Sequence, residues 1–267
     1  MNQEKILNTP SVEVEELVSH GFSVSRVWVQ SEQVAEDLKK PCGLYITINT
    51  GPLDKLENFE EACACLVEQL QPLLAPYFGK SLCICGIGCR DYEFDSLGPE
   101  VAKRISPKTY EAVMKESNFE TIAMICPDVS AHTNLSSESI ISSIVSGMNA
   151  ACVLTVDSSS CSDLDRLCSS IQLTNAGMQT YKENMQFRKS SLGVPVISVG
   201  VPTAIGANSL SEETNCAPDL FLTPSHVSDA VRAAAFVIAC AVSQIAYPGL
   251  DYNNCKQCIG LFLNGIM

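Results

Sequence analysis

Residues 81–102 read SLCICGIGCRDYEFDSLGPEVA. The run Ser81–Ile87 is short, apolar and free of charge, the composition of a strand buried on both faces of a parallel sheet. Gly86 and Gly88 let the chain turn off that strand, and Gly98-Pro99 precedes a segment of helical spacing that the pattern carries over Pro99–Met114. A strand followed by a helix is half of a βαβ unit. The same alternation recurs outward from it. Strands are predicted at Phe22–Val29, Leu44–Asn49, Thr121–Cys126, Cys152–Val156 and Val194–Val199, and helices at Leu56–Leu74, Ser136–Met148, Ser162–Ser170 and Pro224–Ala246. The last helix is read with Thr223 as its N-cap and Pro224 at its first position. The fold class is therefore α/β, three layers around a mostly parallel central sheet. No repeat, low-complexity tract or Pro/Gly/Ser-rich linker divides the chain, so residues 1–267 are read as one domain. Asn175–Ser191 is the least regular stretch, read as a surface excursion.

Composition narrows the function. The 267 residues are 46% hydrophobic and 18% charged, enough apolar surface for a substantial core and unlike a disordered chain. Seventeen Lys and Arg against 30 Asp and Glu give a net charge of −13. That field repels phosphate backbones and anionic lipid and attracts basic polypeptides, so neither nucleic acid nor membrane is an expected partner. Several of the 14 cysteines lie inside apolar runs, as Cys83, Cys85 and Cys240 do, which points to reduced core thiols. No apolar stretch follows a basic start, so no signal peptide is read. The apolar run Ala233–Val242 is shorter than a bilayer span and is read as a buried helix. The expected location is the cytoplasm.

Ligands of open parallel sheets bind beyond the carboxyl ends of the strands, so chemistry is sought there. Gly86-Ile-Gly88 is not a dinucleotide fingerprint: Asp91 stands where the third glycine belongs, and the helix starts only near Pro99. Asp95 and Asp157 each fall at or just past a strand end. Two carboxylates sharing one crevice can divide into acid and base, because like charges held close push their pKa values apart. From spacing alone, capping the helix that follows is the favoured role for each. His132, in the loop PDVSAHTN, could join Asp95 and Asp157 as a metal ligand. Neither HExxH nor GxSxG occurs. Cys255-Lys-Gln-Cys258 is a single CxxC that follows no strand, and it is read as two thiols on a terminal helix.

These segments together resemble the germination protease (spore endopeptidase) family. GIGCRDYEFDSLGPEVAKRI carries the resemblance first, and KPCGLYITINTGPL, VLTVDSSSCSDLDRLCSSIQLTNAG, SLGVPVISVGVPTAI and FLTPSHVSDAVRAAAFVIACAVSQIAYPGL extend it in order from about Val12 to Leu250. The resemblance implies a fold similar to the hydrogenase-maturation endopeptidases and cleavage of small acid-soluble spore proteins. It also implies a catalytic aspartate pair, carried here by Asp95, in Asp95-Ser96-Leu97-Gly98-Pro99, and by Asp157, nine residues before Arg166. Gly86, Gly88, Gly98, Pro99, Asp128, His132 and Arg166 are the supporting or substrate-binding candidates.

The sequence also departs from the family pattern. A family glycine is Asp128, an imidazole appears at His132, and a glycine-rich stretch is replaced by Met178–Lys189. Family aspartates are Asn175 and Gly206, a family arginine is Ser162, and the family's opening Arg-Thr-Asp-Leu-Ala segment is missing. The expected function is an endopeptidase acting on a small basic or unstructured spore-type protein, in the spore core if the family role is kept. No cofactor is expected, a divalent metal stays open, and a homo-oligomer is compatible. The alternatives are a catalytically impaired paralogue that binds or regulates, and a metal-dependent hydrolase.

Overall fold

A computed structural model describes residues 11–38, 40–179, 186–210 and 220–263. The strands, in chain order, are β1 (Val12–Ser19), β2 (Phe22–Val29), β3 (Gly43–Asn49), β4 (Leu82–Gly86), β5 (Ile122–Ile125), β6 (Cys152–Cys161), β7 (Ser170–Thr174), β8 (Met178–Gln179), β9 (Gln186–Phe187), β10 (Val196–Gly206) and β11 (Phe221–Leu222). The helices are α1 (Glu32–Leu38), α2 (Phe59–Leu74), α3 (Leu97–Ala102), α4 (Pro107–Val113), α5 (Ser130–Thr133), α6 (Ser137–Gly147), α7 (Lys189–Leu192), α8 (Val227–Ala246) and α9 (Tyr252–Leu263).

One sheet runs in the order β1-β2-β3-β7-β10-β6-β4-β5, with β11 against β10. Its core is parallel, since β10, β6, β4 and β5 all run the same way. The other half, from β7 to β1, is antiparallel. Alternation along each strand sends residues to two faces. On the first face Leu82, Ile84, Leu154 and Val199 join the main core with Leu66 of α2, Leu97 of α3 and Ile238 of α8. On the second, Cys83, Cys85, Val153 and Val196 pack under Ile141 and Val145 of α6. A small separate cluster on that face joins Val34 and Ala35 of α1 to Val29. Helices on both faces make the three layers.

The central helix is α8. It is long and apolar enough by composition to cross a bilayer, but most of it is buried inside the fold, so its apolar surface is satisfied by α2, α3 and the sheet. Each fully buried valine or isoleucine there contributes roughly 1.5–3 kcal/mol.

Several expected elements are redrawn. Segment 162–170 is a single 3₁₀ turn, Leu164–Arg166, leading into β7 rather than a helix. Leu164, Leu167, Cys168 and Ile171 mimic helical spacing, but Ser170–Thr174 is captured between β3 and β10. The helix expected over Pro99–Met114 breaks into α3 and α4, because Pro107 is costly inside a helix, favours the first helical position and restricts Ser106 before it. Strand β6 continues five residues beyond Val156, to Cys161, and β10 continues beside it to Gly206. The α8 helix starts at Val227, and the Thr223 hydroxyl donates to the Thr203 carbonyl at 3.0 Å instead of capping it.

Strand β1 was not anticipated. It forms a hairpin with β2 through His20 and Gly21, both at positive φ, the geometry of a type I′ turn. The stretch 175–191 is tied down by Phe187, which is fully buried, although residues 180–185 lie outside the described residues. Thirteen described cysteines are free, nine of them buried. Cys255 of α9 lies in the core, donating its thiol to the Cys240 carbonyl at 3.8 Å. The neighbouring Cys240 thiol, and then burial, push it far above a reactive thiol's range, against redox use of the CxxC.

Candidate active site

The last pair between β4 and β6 is Gly86 with Val156, and Asp157 is the next residue of β6. Because β4 stops there while β6 and β10 run on, Asp157 stands at the carboxyl edge of the shorter strands. It is also where the connection from β4 leaves for β5 and that from β6 leaves for the antiparallel half, a topological switch point.

Asp95 reaches this edge from the loop after β4, and three glycines set its path. A Cβ on Gly86 would lie 2.4 Å from the Gly98 carbonyl oxygen, and one on Gly98 would lie 2.3 Å from both the Ile87 nitrogen and oxygen. The strand end and the first turn of α3 therefore touch backbone to backbone. Gly88 has φ +120°, and a Cβ there would lie 2.0 Å from the Asp95 carbonyl oxygen. Pro99, buried, follows in the same turn. The loop closes because the Cys89 amide donates to the Asp95 carbonyl at 3.0 Å and to its carboxylate Oδ2 at 3.2 Å. The Thr203 hydroxyl of β10 donates to the neighbouring Phe94 carbonyl at 2.6 Å. Neither aspartate caps a helix: Ser96 holds the N-cap position of α3, and Asp157 lies within β6.

Asp157 is 8% exposed. Burial first, and the charge of Asp95 second, push its pKa well above the ordinary carboxylate range, against one opposing hydrogen bond from the Ser158 amide. The charge of Asp95 thus reaches Asp157, the first carboxylate partly exposed and the second buried.

A stability consequence follows. Asp157's folded pKa lies above its unfolded value, so its favourable contribution is complete below the unfolded value near ~4 and is lost as pH rises through the folded value. Asp157→Asn removes that penalty. Its urea midpoint is expected to exceed wild type at pH 8 and to converge on wild type near pH 4. Equal midpoints at both pH values would contradict the buried, proton-holding Asp157.

The register extends the site sideways. Asp157 pairs with Gly200, Gly200 with Gln172, and Gln172 with Thr47, all on the second face. This half-buried row of small and polar side chains lies between the clusters under α6 and α1. Ser159, two residues beyond Asp157 on the same face, has a buried hydroxyl oxygen with no partner among the described residues. Gly200 and Gln172 were missed in the sequence. The polar–apolar alternation of SIQLT was the signal for Gln172, masked by the helical spacing across it.

His132 does not join the pair. The short helix α5 puts it one turn after Asp128, whose Oδ2 lies 3.2 Å from His132 Nδ1, while Asp91 lies 3.8 Å from its Nε2. Burial would raise the Asp128 pKa, but the Val129 amide, His132 and Arg90 outweigh it and hold the carboxyl low. Among the described residues, the potential ligands that gather around His132 are Cys89 and Asp128, not Asp95 or Asp157. Arg166 pairs with Asp163 at 3.6 Å and lies within electrostatic reach of Lys40.

An α/β sheet with carboxylates at its switch point is the architecture in which ligands lie beyond the carboxyl ends of the strands. The family model for germination protease matches residues 1–217, and the chain belongs to that family. The germination protease of Caldanaerobacter subterraneus subsp. tengcongensis is 28% identical over 215 residues, covering 77% of this chain and 66% of that protein. That of Clostridium perfringens is 27% identical over 218 residues, 78% of this chain and 66% of the relative. That of Bacillus cereus is 25% identical over 230 residues, 80% and 61%. The chain thus spans slightly less than two thirds of the length of these relatives. Among solved structures, a NiFe hydrogenase maturation protease, HycI, from Thermococcus kodakarensis KOD1 aligns with 64% of this chain and 96% of its own, at 16% identity and a TM-score of 0.36.

Proposed function

We propose that the chain hydrolyses peptide bonds with Asp157 as general acid and Asp95 as general base. The buried Asp157, with its proton held by desolvation and by the neighbouring Asp95 charge, carries this reading. In the addition step, Asp95 takes a proton from water as its oxygen bonds to the scissile carbonyl carbon, and Asp157 gives its proton to the carbonyl oxygen. In the breakdown step the C–N bond breaks, Asp95 passes its proton to the leaving amine, and Asp157 recovers its own from the collapsing hydroxyl. Acid and base then stand as they began.

The substrate class we propose is a small, basic, unstructured polypeptide of the spore type. The charge of −13 attracts such chains, and the row Gly200, Gln172 and Thr47 offers a polar floor beside the acid. The metal-hydrolase alternative built on Asp95, Asp157 and His132 loses its third ligand to Asp128. The test is incubation of purified protein with a small basic spore-type polypeptide, its products weighed by mass spectrometry. Discrete internal cleavage with one water added per cut is expected. Saturable binding without any cut would favour the binding paralogue instead.

A further inference from the structure

The loop after β4 and the turn after the adjacent strand β5 bring three potential ligands together. One ligand atom from each of Cys89, Asp128 and His132 lies within 4.8 Å of the other two. The thiol of Cys89 is buried at 1% exposure, Asp128 is partly buried, and His132 closes the group from the exposed side. From this geometry we infer that Cys89, Asp128 and His132 form a binding site for one divalent transition ion of the zinc type, with a fourth position left for water.

The donor set points to that class of ion. Thiolate, imidazole and carboxylate together suit zinc or cobalt, whereas magnesium and calcium call for oxygen alone. The carboxylate is aimed before any ion arrives: Asp128 sits at φ +66°, its Oδ1 accepts from the Val129 amide at 2.8 Å, and the Ser137 hydroxyl donates to its carbonyl at 2.9 Å. Oδ2 is left facing His132. The far ring nitrogen of that histidine looks toward Asp91 at 3.8 Å, the carboxylate partner that metal-bound imidazoles commonly have. Arg90, whose charge also acts on Asp128, opposes a cation there and sets a limit on affinity. The site is separate from the aspartate pair but joined to it, because Cys89 also supplies the amide that holds the Asp95 carboxylate. An ion would tie the β4 loop to the β5 turn.

Cobalt(II) titration of the purified full chain, followed by visible absorption, tests the inference. One equivalent should bind with a thiolate-to-cobalt charge-transfer band, and zinc should displace it while magnesium does not. Cys89→Ser should abolish the band, and Cys258→Ser, on α9, should leave it intact. Since Cys89 is buried and its replacement can disturb folding, His132→Gln at the exposed side provides the second variant. It should weaken cobalt binding at least tenfold with the thermal midpoint of the metal-free protein unchanged. Absence of saturable binding, or equal affinity in wild type and His132→Gln, would overturn the site.

Discussion

Asp95→Asn and Asp157→Asn are each expected to lower the rate of polypeptide cleavage by a factor of about 100 to 10,000, the range associated with losing general acid or base help. Both variants should stay folded. Asn at position 157 keeps the shape of the protonated acid and sheds the cost of a charge held at 8% exposure, and Asn at 95 retains an oxygen for the Cys89 amide. The double variant should be little slower than either single one, because acid and base act in one step and removing the second partner of a broken unit costs little. Steady-state rates with circular dichroism as the folding control decide it. A single variant within threefold of wild type would remove that aspartate from the mechanism.

Gly98→Ala is expected to cost roughly 3 kcal/mol or more of stability, and to lower cleavage further than lost stability explains. The new methyl would lie 2.3 Å from two backbone atoms of Ile87, and backbone cannot swing aside as a long side chain can. The strand end and the α3 turn must part, and Asp95 travels with that turn. A displacement on the order of 1 Å is enough to cost about a hundredfold in rate. Gly147→Ala is the matched control: nothing lies within 4 Å of its Cβ position at the end of α6, so it should be neutral or stabilising by about 0.5–1 kcal/mol. If denaturant unfolding shows the two variants alike, close backbone packing does not explain the glycine at 98.

Much of the fold could be read where one physical signal dominated. The strand read at Ser81–Ile87 and the helix read at Pro224–Ala246 are marked by apolar runs, the second over Ala233–Val242, and the structure differs only at their ends. Where two signals competed, the weaker local one lost. Helical spacing at Leu164, Leu167, Cys168 and Ile171 gave way to strand pairing on both sides of β7, a tertiary effect that no local window contains. The β1 hairpin was hidden for a different reason: Glu13, Glu15 and Glu16 make its outer strand look like a solvated tail, and His20-Gly21 is a less familiar turn pair than Asn-Gly.

For the site, Asp95 and Asp157 could be picked out because strand ends focus chemistry and because the family motif fills both positions. That glycines 86, 88 and 98 serve one close backbone approach was not legible, since their contacts run between segments. His132 shows the limit most clearly. Its grouping with Asp128 and Cys89 rather than the aspartate pair depends on a four-residue helix after β5 that only the folded chain reveals.

The most direct measurement is a titration of the Asp157 carboxyl by carbon-detected NMR on protein carrying labelled aspartate, with Asp157→Asn to assign the signal. The expected result is a midpoint well above the ordinary value near ~3.9, falling when Asp95→Asn removes the neighbouring charge. A midpoint in the ordinary range, or one that Asp95→Asn leaves in place, would contradict a coupled pair in which Asp157 holds the proton.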